Sequence, residues 1–157
     1  MLHTEHRTTC FIYSAGGHYA EIVRAVQGIT FTNAYYVTFN MDCAPGSTTF
    51  KKDNLYFITH PRREVGRLLL NTLQSFWLLL KKRPRIIIST GADVTVPTII
   101  LGKLFFRAKV IFLESGGDTA PSLTGRLVYP FSDIFIIQNP EKQARFPKGI
   151  LAKGVLL

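Results

Sequence analysis

CFIYSAGGHYAE, residues 10–21, is the stretch that decides how this chain folds. Residues 10–13 form a short apolar run typical of a buried strand, and residues 19–26 carry apolar side chains at helical spacing. A strand, a glycine turn and a helix in this order point backbone N–H groups and the positive end of the helix dipole at an anion. Because a side chain at Gly16 or Gly17 would keep a phosphate away from the backbone, the stretch predicts a phosphate-binding turn. A tight turn without a ligand is the alternative.

Length and composition favour one globular domain. The chain has 157 residues, of which 46% are hydrophobic and 18% charged, enough for one α/β core and too few for two. No uncharged apolar run reaches about 18 residues, so we expect no membrane-spanning helix. Residues 1–9 are polar and leave no room for a secretory signal. Two cysteines without metal-ligand spacing, one of them Cys10 in a predicted strand, indicate a reduced, cytoplasmic setting.

Positive charge is concentrated in the middle of the chain. Residues 51–109 contain twelve Lys or Arg and three acidic residues, which accounts for the whole net charge of +9. The remainder is neutral. A one-sided basic field of this kind suggests a polyanionic partner: nucleic acid, anionic lipid or a phosphorylated substrate.

Strands and helices are predicted to alternate. The predicted strands cover residues 9–13, 34–39, 55–59, 85–89, 109–113 and 134–137. The predicted helices cover residues 19–26, 64–82, 94–106 and 124–129, and a further short helix starts at residue 139. This alternation implies an α/β fold, a doubly wound parallel sheet of about six strands in a single domain, residues 1–157. Residues 1–8 and 40–54 are expected to be mobile.

Three loops of small residues follow strands: residues 14–18, 90–93 and 114–118. Ligands of doubly wound sheets bind at the carboxyl ends of the strands, so we expect these loops to share one rim. No GxGxxG motif follows the first strand and no GxxxxGK[ST] occurs, which disfavours NAD binding and a P-loop NTPase. The candidate residues for binding a phosphate and the substrate that carries it are Ser14, Gly16, Gly17, Gly91, Ala92, Ser115 and Gly116.

The helix predicted at residues 64–82 is more apolar than one buried face requires. Its main stripe is expected to face the sheet: Val65, Leu68, Leu69, Leu73, Phe76, Leu79 and Leu80. Surplus apolar residues beside a basic helix end indicate an interfacial membrane patch. The alternative is that Trp77 is a core residue and that the cations are there because any helix C-terminus favours them. The candidate membrane residues are Leu70, Trp77, Leu78, Lys81, Lys82 and Arg83.

Four segments together resemble one family: SAGGHYAEI, ISTGADVTVP, VIFLESGGDTAPSLTGRLVYPFSDIFIIQNPE and FPKGILAKGVLL. The family is the Alg-type oligosaccharide-biosynthesis family, the fourteenth member of the asparagine-linked glycosylation series, with the bacterial PssD, CpsF and EpsE polysaccharide proteins as relatives. The resemblance spans residues 9–157. The loops are also similar to those in the N-terminal half of MurG, a GT-B glycosyltransferase that acts on a polyprenyl-diphosphate acceptor. The loop FNMDCAPGSTT departs from the family pattern and leaves the acceptor open.

The resemblance implies a split enzyme. This chain would be the Rossmann-like acceptor domain, equivalent to the N-terminal domain of a GT-B glycosyltransferase. A separate donor-binding subunit would supply the UDP-sugar in a heterodimer. The pair would transfer a sugar, with inversion and without a required metal or cofactor in this chain, to a lipid-linked diphosphate sugar. The site would be the cytoplasmic membrane face, where the basic helix would anchor the chain peripherally.

Sugar transfer needs a base for the acceptor hydroxyl, and three rim residues are candidates. At a helix N-terminus the dipole favours neutral imidazole, the form of His18 that can accept this proton. The alternative is that His18 only orients the loop or a phosphate. Asp93 and Glu114 are expected to act as base or to hold a sugar hydroxyl, and Glu114 could equally tie down its own loop.

The tail, residues 147–157, is apolar and has no obvious partner in the domain. Its last residues are the predicted docking element for the donor-binding subunit: Gly154, Val155, Leu156 and Leu157. Three alternatives to the split enzyme remain open: a self-sufficient sugar-phosphate or nucleotide enzyme, a basic nucleic-acid-binding module, and a scaffold whose partner does all the catalysis. The second is disfavoured because no stacking-aromatic platform or helix-turn-helix pattern occurs.

Overall fold

The computed structural model describes residues 3–14, 16–39 and 54–152. Nine strands lie in these ranges: β1 (His3–Glu5), β2 (Thr9–Ile12), β3 (Ile29–Phe31), β4 (Ala34–Thr38), β5 (Leu55–Phe57), β6 (Ile86–Ser89), β7 (Lys109–Leu113), β8 (Ile134–Ile137) and β9 (Ile150–Leu151). The α-helices of the same ranges are α1 (Gly17–Ala25), α2 (Val65–Lys82), α3 (Val96–Phe106) and α4 (Leu123–Val128). Short 3-10 helices cover Asp93–Thr95, Tyr129–Phe131 and Pro140–Ala144.

Seven of the described strands form one parallel sheet in the order β5-β4-β2-β6-β7-β8-β9. The central strand β2 pairs in parallel with β4 on one side and with β6 on the other. The chain therefore builds outward from β2 to β5, crosses back through α2 and continues outward from β6. This confirms the predicted doubly wound α/β fold. The point between β2 and β6, where the order reverses, is where such sheets bind ligands.

Each face of the sheet is covered by a buried apolar layer. Alternate residues of β2 supply both layers, because successive side chains of a strand point to opposite faces. Cys10 packs in the layer under α2 and α3, and Phe11 packs in the layer under α1. Burial raises the pKa of the Cys10 thiol to about 12, so this cysteine is the small hydrophobe that the sequence predicts.

Two strand pairings are not predicted by the sequence. β1 pairs with β3 in a separate two-stranded sheet. β9 pairs with β8 at the edge of the main sheet, so the expectation of a tail without a partner is wrong for Ile150 and Leu151. Both side chains are exposed. A strand of two residues that is held only by backbone pairing has no hydrophobic periodicity from which the sequence could predict it. Residues 40–53 of the predicted mobile loop and Gly154 to Leu157 of the predicted docking element lie outside the described residues.

The predicted orientation of α2 is wrong. Its buried side chains are Asn71, Ser75 and Leu79, so only Leu79 of the predicted stripe faces the sheet. The rest of that stripe is exposed, and Leu70 and Trp77 extend it. We call these residues the outer face of α2: Val65, Leu68, Leu69, Leu70, Leu73, Phe76, Trp77 and Leu80.

The polar residues of α2 are buried because their hydrogen bonds are satisfied at the contact with α3. The Asn71 side-chain amide donates to the carbonyls of Thr59, at 2.7 Å, and Val94, at 3.2 Å. Thr98 of α3 donates from its hydroxyl to the hydroxyl of Ser75 at 2.8 Å. The prediction from helical periodicity assumes that polar side chains stay in water because burying them costs free energy. Hydrogen bonds to buried partners offset that cost here. The apolar stripe is thereby left facing outward.

Candidate functional site

The glycine turn after β2 leads directly into α1. Gly16 precedes the helix with φ of 89°, a left-handed value that favours glycine. Gly17 is the first helical residue, and a Cβ atom at either glycine would meet nothing within 4 Å. Both residues are exposed. The first N–H groups of a helix have no carbonyl partner within it, although those of Tyr19 and Ala20 donate to the Gly16 carbonyl. The turn therefore has the shape of an anion site.

The loop after β6 lies beside this turn. The Thr90 hydroxyl donates to the His18 carbonyl oxygen at 2.9 Å. A Cβ atom on Gly91 would lie 3.9 Å from Cε1 of the His18 ring. Gly91 has φ of 106° and Ala92 has φ of 79°, so a non-glycine residue holds a conformation that costs on the order of 1–3 kcal/mol. Strained backbone of this kind next to His18 makes the loop a candidate part of the site.

His18 is held by a carboxylate one helical turn further along α1. Its Nδ1 lies 3.3 Å from Oε2 of Glu21, and its side chain is 29% exposed whereas that of Glu21 is 1% exposed. With Nδ1–H donating to the carboxylate, Nε2 is the ring nitrogen that can accept a proton. The pair thus has the arrangement of a general base with its orienting acid.

Glu21 also connects α1 to the third loop. The backbone N–H of Gly116 donates to Oε1 of Glu21 at 3.4 Å, and the side-chain amide of Gln138 donates to the same oxygen at 3.3 Å. Burial by itself would raise the pKa of the Glu21 carboxyl, but the bonds from His18, Gly116 and Gln138 outweigh it and lower the pKa. A buried, ionised carboxylate therefore joins two of the predicted loops.

Glu114 sits below the surface. Its carboxylate accepts hydrogen bonds from the Ser122 N–H at 2.7 Å, from the Ser122 hydroxyl at 2.8 Å and from Lys142 Nζ at 3.1 Å. Lys142 also donates to the carbonyl of Ser115 at 2.6 Å. The side chains of Glu114 and Lys142 are 0% and 1% exposed. This geometry favours the alternative in which Glu114 ties down its own loop over direct contact with a substrate.

Asp93 pairs with a histidine from another segment of the chain. Its Oδ1 lies 3.3 Å from Nε2 of His60, which follows β5, and its side chain is 46% exposed. Within the described ranges, no group of three His, Cys, Asp or Glu side chains is placed to hold a metal ion. We call residue 14 together with residues 16–18, 90–93 and 114–118 the rim. The contacts join its three loops through His18 and Glu21, and they place Asp93 at the side nearest α2.

The candidate membrane residues lie on α2 and just beyond it, with different exposures. Trp77 is 70% exposed, so it is not the core residue that the alternative required. Leu70, Lys81 and Arg83 are exposed as well. Leu78 is half-buried against the core, and Lys82 is half-buried with Nζ 4.8 Å from the centre of the Tyr56 ring. None of the described helices combines the length and the apolarity needed to cross a bilayer.

Four residues of the site carry no prediction from the sequence. Glu21 could have been found, since it lies three residues after His18 on one helix face. His60, Gln138 and Lys142 could not, because they come from distant segments and meet the rim only in the folded chain.

Comparison with known proteins identifies relatives of this chain. The curated relatives include the UDP-N-acetylglucosamine transferase subunit ALG14 of Rattus norvegicus, 27% identical over 88% of this chain and 78% of that protein. The human protein of the same name is 25% identical over the same shares. A UDP-N-acetylglucosamine–N-acetylmuramyl-(pentapeptide) pyrophosphoryl-undecaprenol N-acetylglucosamine transferase of Treponema pallidum is 34% identical over 55% of this chain and 22% of its own length.

Solved structures share the fold at low sequence identity. MurG of Acinetobacter baumannii superposes with a TM-score of 0.67 and 14% identity, over 94% of this chain and 45% of MurG. The UDP-GlcNAc 2-epimerase of Neisseria meningitidis superposes with a TM-score of 0.69 and 11% identity, over 95% of this chain and 47% of the epimerase. The chain thus spans about half the length of these proteins. The family model of oligosaccharide biosynthesis proteins like Alg14 matches residues 9–155, so the chain belongs to that family.

Proposed function

We propose that this chain is the acceptor-binding subunit of a two-component, inverting glycosyltransferase. The acceptor is a sugar linked to a polyprenyl diphosphate, and the UDP-sugar is bound by a partner subunit. The observation that carries the proposal is the His18–Glu21 pair at the switch point of the sheet, beside an open glycine turn. Membership of the Alg14-like family supports it, and the names of the relatives point to N-acetylglucosamine as the sugar.

In this mechanism the rim binds the acceptor and His18 activates it. The phosphate nearest the sugar faces the N-terminus of α1 at Gly16 and Gly17, where N–H groups and the helix dipole favour negative charge. Nε2 of His18 accepts the proton of the acceptor hydroxyl while the hydroxyl oxygen attacks the anomeric carbon of the donor sugar. The bond from that carbon to the UDP oxygen breaks, and UDP leaves with the electron pair. Glu21 holds the ring and balances the positive charge that forms on it.

Membrane association rests on the outer face of α2. Eight apolar side chains of this face are exposed, with relative exposures of 39% to 75%. The helix ends in Lys81 and Lys82, and Arg83 follows. Exposed apolar residues beside cations bind the interface of an anionic membrane, with the apolar side chains below the headgroups and the cations among them. We therefore place this chain on the cytoplasmic face of a membrane, beside its lipid-linked acceptor.

The test is reconstitution with a donor-binding subunit. The chain is co-purified with a candidate small glycosyltransferase subunit, and transfer from UDP-N-acetylglucosamine to a lipid-diphosphate sugar is measured. His18→Ala removes the base, and Gly17→Val fills the open space at the turn. We expect both variants to abolish transfer while the heterodimer stays intact. Wild-type rates from either variant would refute the role of the rim.

A further inference from the structure

A groove runs between the edge strand β5 and helix α2. Its volume is about 490 Å³, and apolar side chains dominate its lining. Tyr56 and Phe57 line it from the strand side, and Leu70, Leu73 and Trp77 line it from the outer face of α2. The α2 side chains of the groove are 48%, 61% and 70% exposed in that order. Gln74 and Lys81 line it as well, so among the described residues this is a mostly apolar channel open to the surroundings.

A second cavity continues the groove at the carboxyl end of β5. Its volume is about 300 Å³, and it shares Phe57, Ile58 and Gln74 with the groove. Its other lining residues are polar except for Phe39, and they include Arg62 and Arg67. The two cavities therefore form one path along which apolar lining gives way to basic lining.

The basic cavity has a net positive charge. Arg62 and Arg67 line it, and the one carboxylate of residues 60–67, Glu64, accepts at Oε2 from Nε of Arg67 at 2.7 Å. Arg62 and Arg63 have φ of 48° and 59°, left-handed values that cost energy in residues with a Cβ atom. The N-terminus of α2 adds its positive dipole end at the same place. The turn thus holds strained backbone beside the cavity that Arg62 and Arg67 line.

The basic cavity borders the rim. His60 lines it, and Nε2 of His60 lies 3.3 Å from Oδ1 of Asp93 in the loop after β6. Gly91 of that loop lies against the His18 ring. The order along the surface is therefore apolar groove, basic cavity, rim with His18, which is the order of chain, phosphate and sugar in a lipid-linked sugar.

We propose that the groove binds the first isoprenoid units of the acceptor and that the basic cavity receives the phosphate nearest the lipid chain. The chain lies against Leu70, Leu73 and Trp77, and the phosphate lies at Arg62 and Arg67. The sugar-proximal phosphate and the sugar extend to the rim. This inference rests on the proposed function and assigns the lipid end of the same substrate, which the rim alone does not recognise.

Trp77 makes direct measurement of binding possible. It is the single tryptophan of the sequence, so its emission reports on the groove. The full chain is titrated with farnesyl diphosphate below its micellar concentration. We expect a saturable blue shift because the chain of the ligand removes the indole from water. Farnesol, which lacks the phosphates, should bind at least about tenfold more weakly, and inorganic pyrophosphate should give no shift.

Two matched pairs of variants separate a site from general adsorption. Leu73 lines the groove and Leu69 does not, although both are 61% exposed. Arg62 lines the basic cavity and its neighbour Arg63 does not, although both carry the same charge and a left-handed φ. Leu73→Asn and Arg62→Gln should each raise the Kd for farnesyl diphosphate about tenfold, the effect of losing one buried apolar side chain or one charged contact. Leu69→Asn and Arg63→Gln should stay within about twofold.

Three results would overturn the inference: no saturable shift, equal effects within each matched pair, or the same pattern of variants with phosphatidylglycerol vesicles in place of farnesyl diphosphate. The last result would assign the groove to bulk lipid. Sugar transfer by the wild-type pair of subunits is measured in parallel. Transfer without the shift refutes the groove alone, and the shift without transfer refutes the proposed function alone.

Discussion

The rim and the outer face of α2 invert the usual distribution of side chains in opposite ways. Three charged residues that hold the rim loops are buried: Glu21, Glu114 and Lys142. On α2, leucines and a tryptophan face outward while Asn71 and Ser75 face the core. The buried charges are paired and hydrogen-bonded, so they hold loops in place. The exposed apolar residues have no such explanation within the described fold, so they indicate a surface that works in contact with something else.

The largest expected effect concerns the buried charge pair at the rim. Glu114→Ala leaves Lys142 buried without its carboxylate, which should lower the free energy of unfolding by about 3–5 kcal/mol. Urea denaturation of the purified chain measures this. Asp118→Ala, on the same loop but exposed, is the control and should change stability by about 0.5 kcal/mol or less. A loss below about 1 kcal/mol for Glu114→Ala would contradict the loop-tying role.

The next effect concerns Glu21. Glu21→Gln keeps the shape of the side chain but removes the charge that balances protonated His18. We expect transfer to fall about 10- to 100-fold, a part of the 10²–10⁴ that a positioned base contributes. The complex with the donor-binding subunit should still form. A rate within about twofold of wild type would show that Glu21 does not orient the base.

Glu21 also predicts a pH dependence of stability. Because its pKa is lower in the folded chain than in the unfolded chain, its contribution is complete above the unfolded pKa of about 4.3 and is lost as the pH falls through the folded pKa. The stability difference between wild type and Glu21→Gln should therefore shrink as the pH is lowered from about 7 to about 3. A difference that grows on acidification would contradict an ionised, hydrogen-bonded Glu21.

Because α2 buries polar side chains, we expect that a more apolar residue at a buried position of this helix destabilises the chain. Asn71→Leu removes two hydrogen bonds to the carbonyls of Thr59 and Val94 and should cost about 1–3 kcal/mol of unfolding free energy. Leu69→Asn, on the outer face, should change it by about 0.5 kcal/mol or less. Equal losses from the two variants, measured by urea denaturation, would mean that α2 does not bury Asn71 in preference to its leucines.

The same face predicts membrane binding. The double variant Leu69→Asn/Leu73→Asn should weaken binding to anionic vesicles about tenfold, since it removes two apolar side chains from the interface. Flotation with phosphatidylglycerol vesicles measures this. Ile150→Asn is the control, because Ile150 is 57% exposed at the far edge of the sheet. If Ile150→Asn weakened vesicle binding equally, the outer face of α2 would not be a specific membrane-binding surface.

The smallest expected effect concerns the end of the chain. Removal of Gly154 to Leu157 should weaken the complex with the donor-binding subunit several-fold, which corresponds to a total loss of about 1 kcal/mol of binding free energy. Co-purification at decreasing concentration measures this. An unchanged complex after the truncation would rule out these residues as the docking element.

Much of the fold follows from local sequence patterns. The apolar runs of β2, β6 and β7 are buried strands of one parallel sheet, as predicted, and the three glycine-bearing loops follow strands at its carboxyl edge. These features are local, because a run of apolar residues or a glycine turn specifies its own conformation.

The rest depends on contacts between distant segments. Helical periodicity shows that α2 has an apolar stripe but not whether that stripe is covered, and the bonds of Asn71 and Ser75 to Thr59, Val94 and Thr98 decide the matter. The same holds for Glu114. Its environment is set by Lys142, 28 residues further along, so a carboxylate that looks available in the sequence is enclosed in the fold.

The main claim is that this chain binds the acceptor and that a second polypeptide binds the UDP-sugar. A single rate tests this claim. That rate is sugar transfer from a UDP-sugar to a lipid-diphosphate sugar, measured for the chain alone and for the chain with a donor-binding subunit. We expect transfer by the pair and none by the chain alone. Transfer by the purified chain without a partner would contradict the claim.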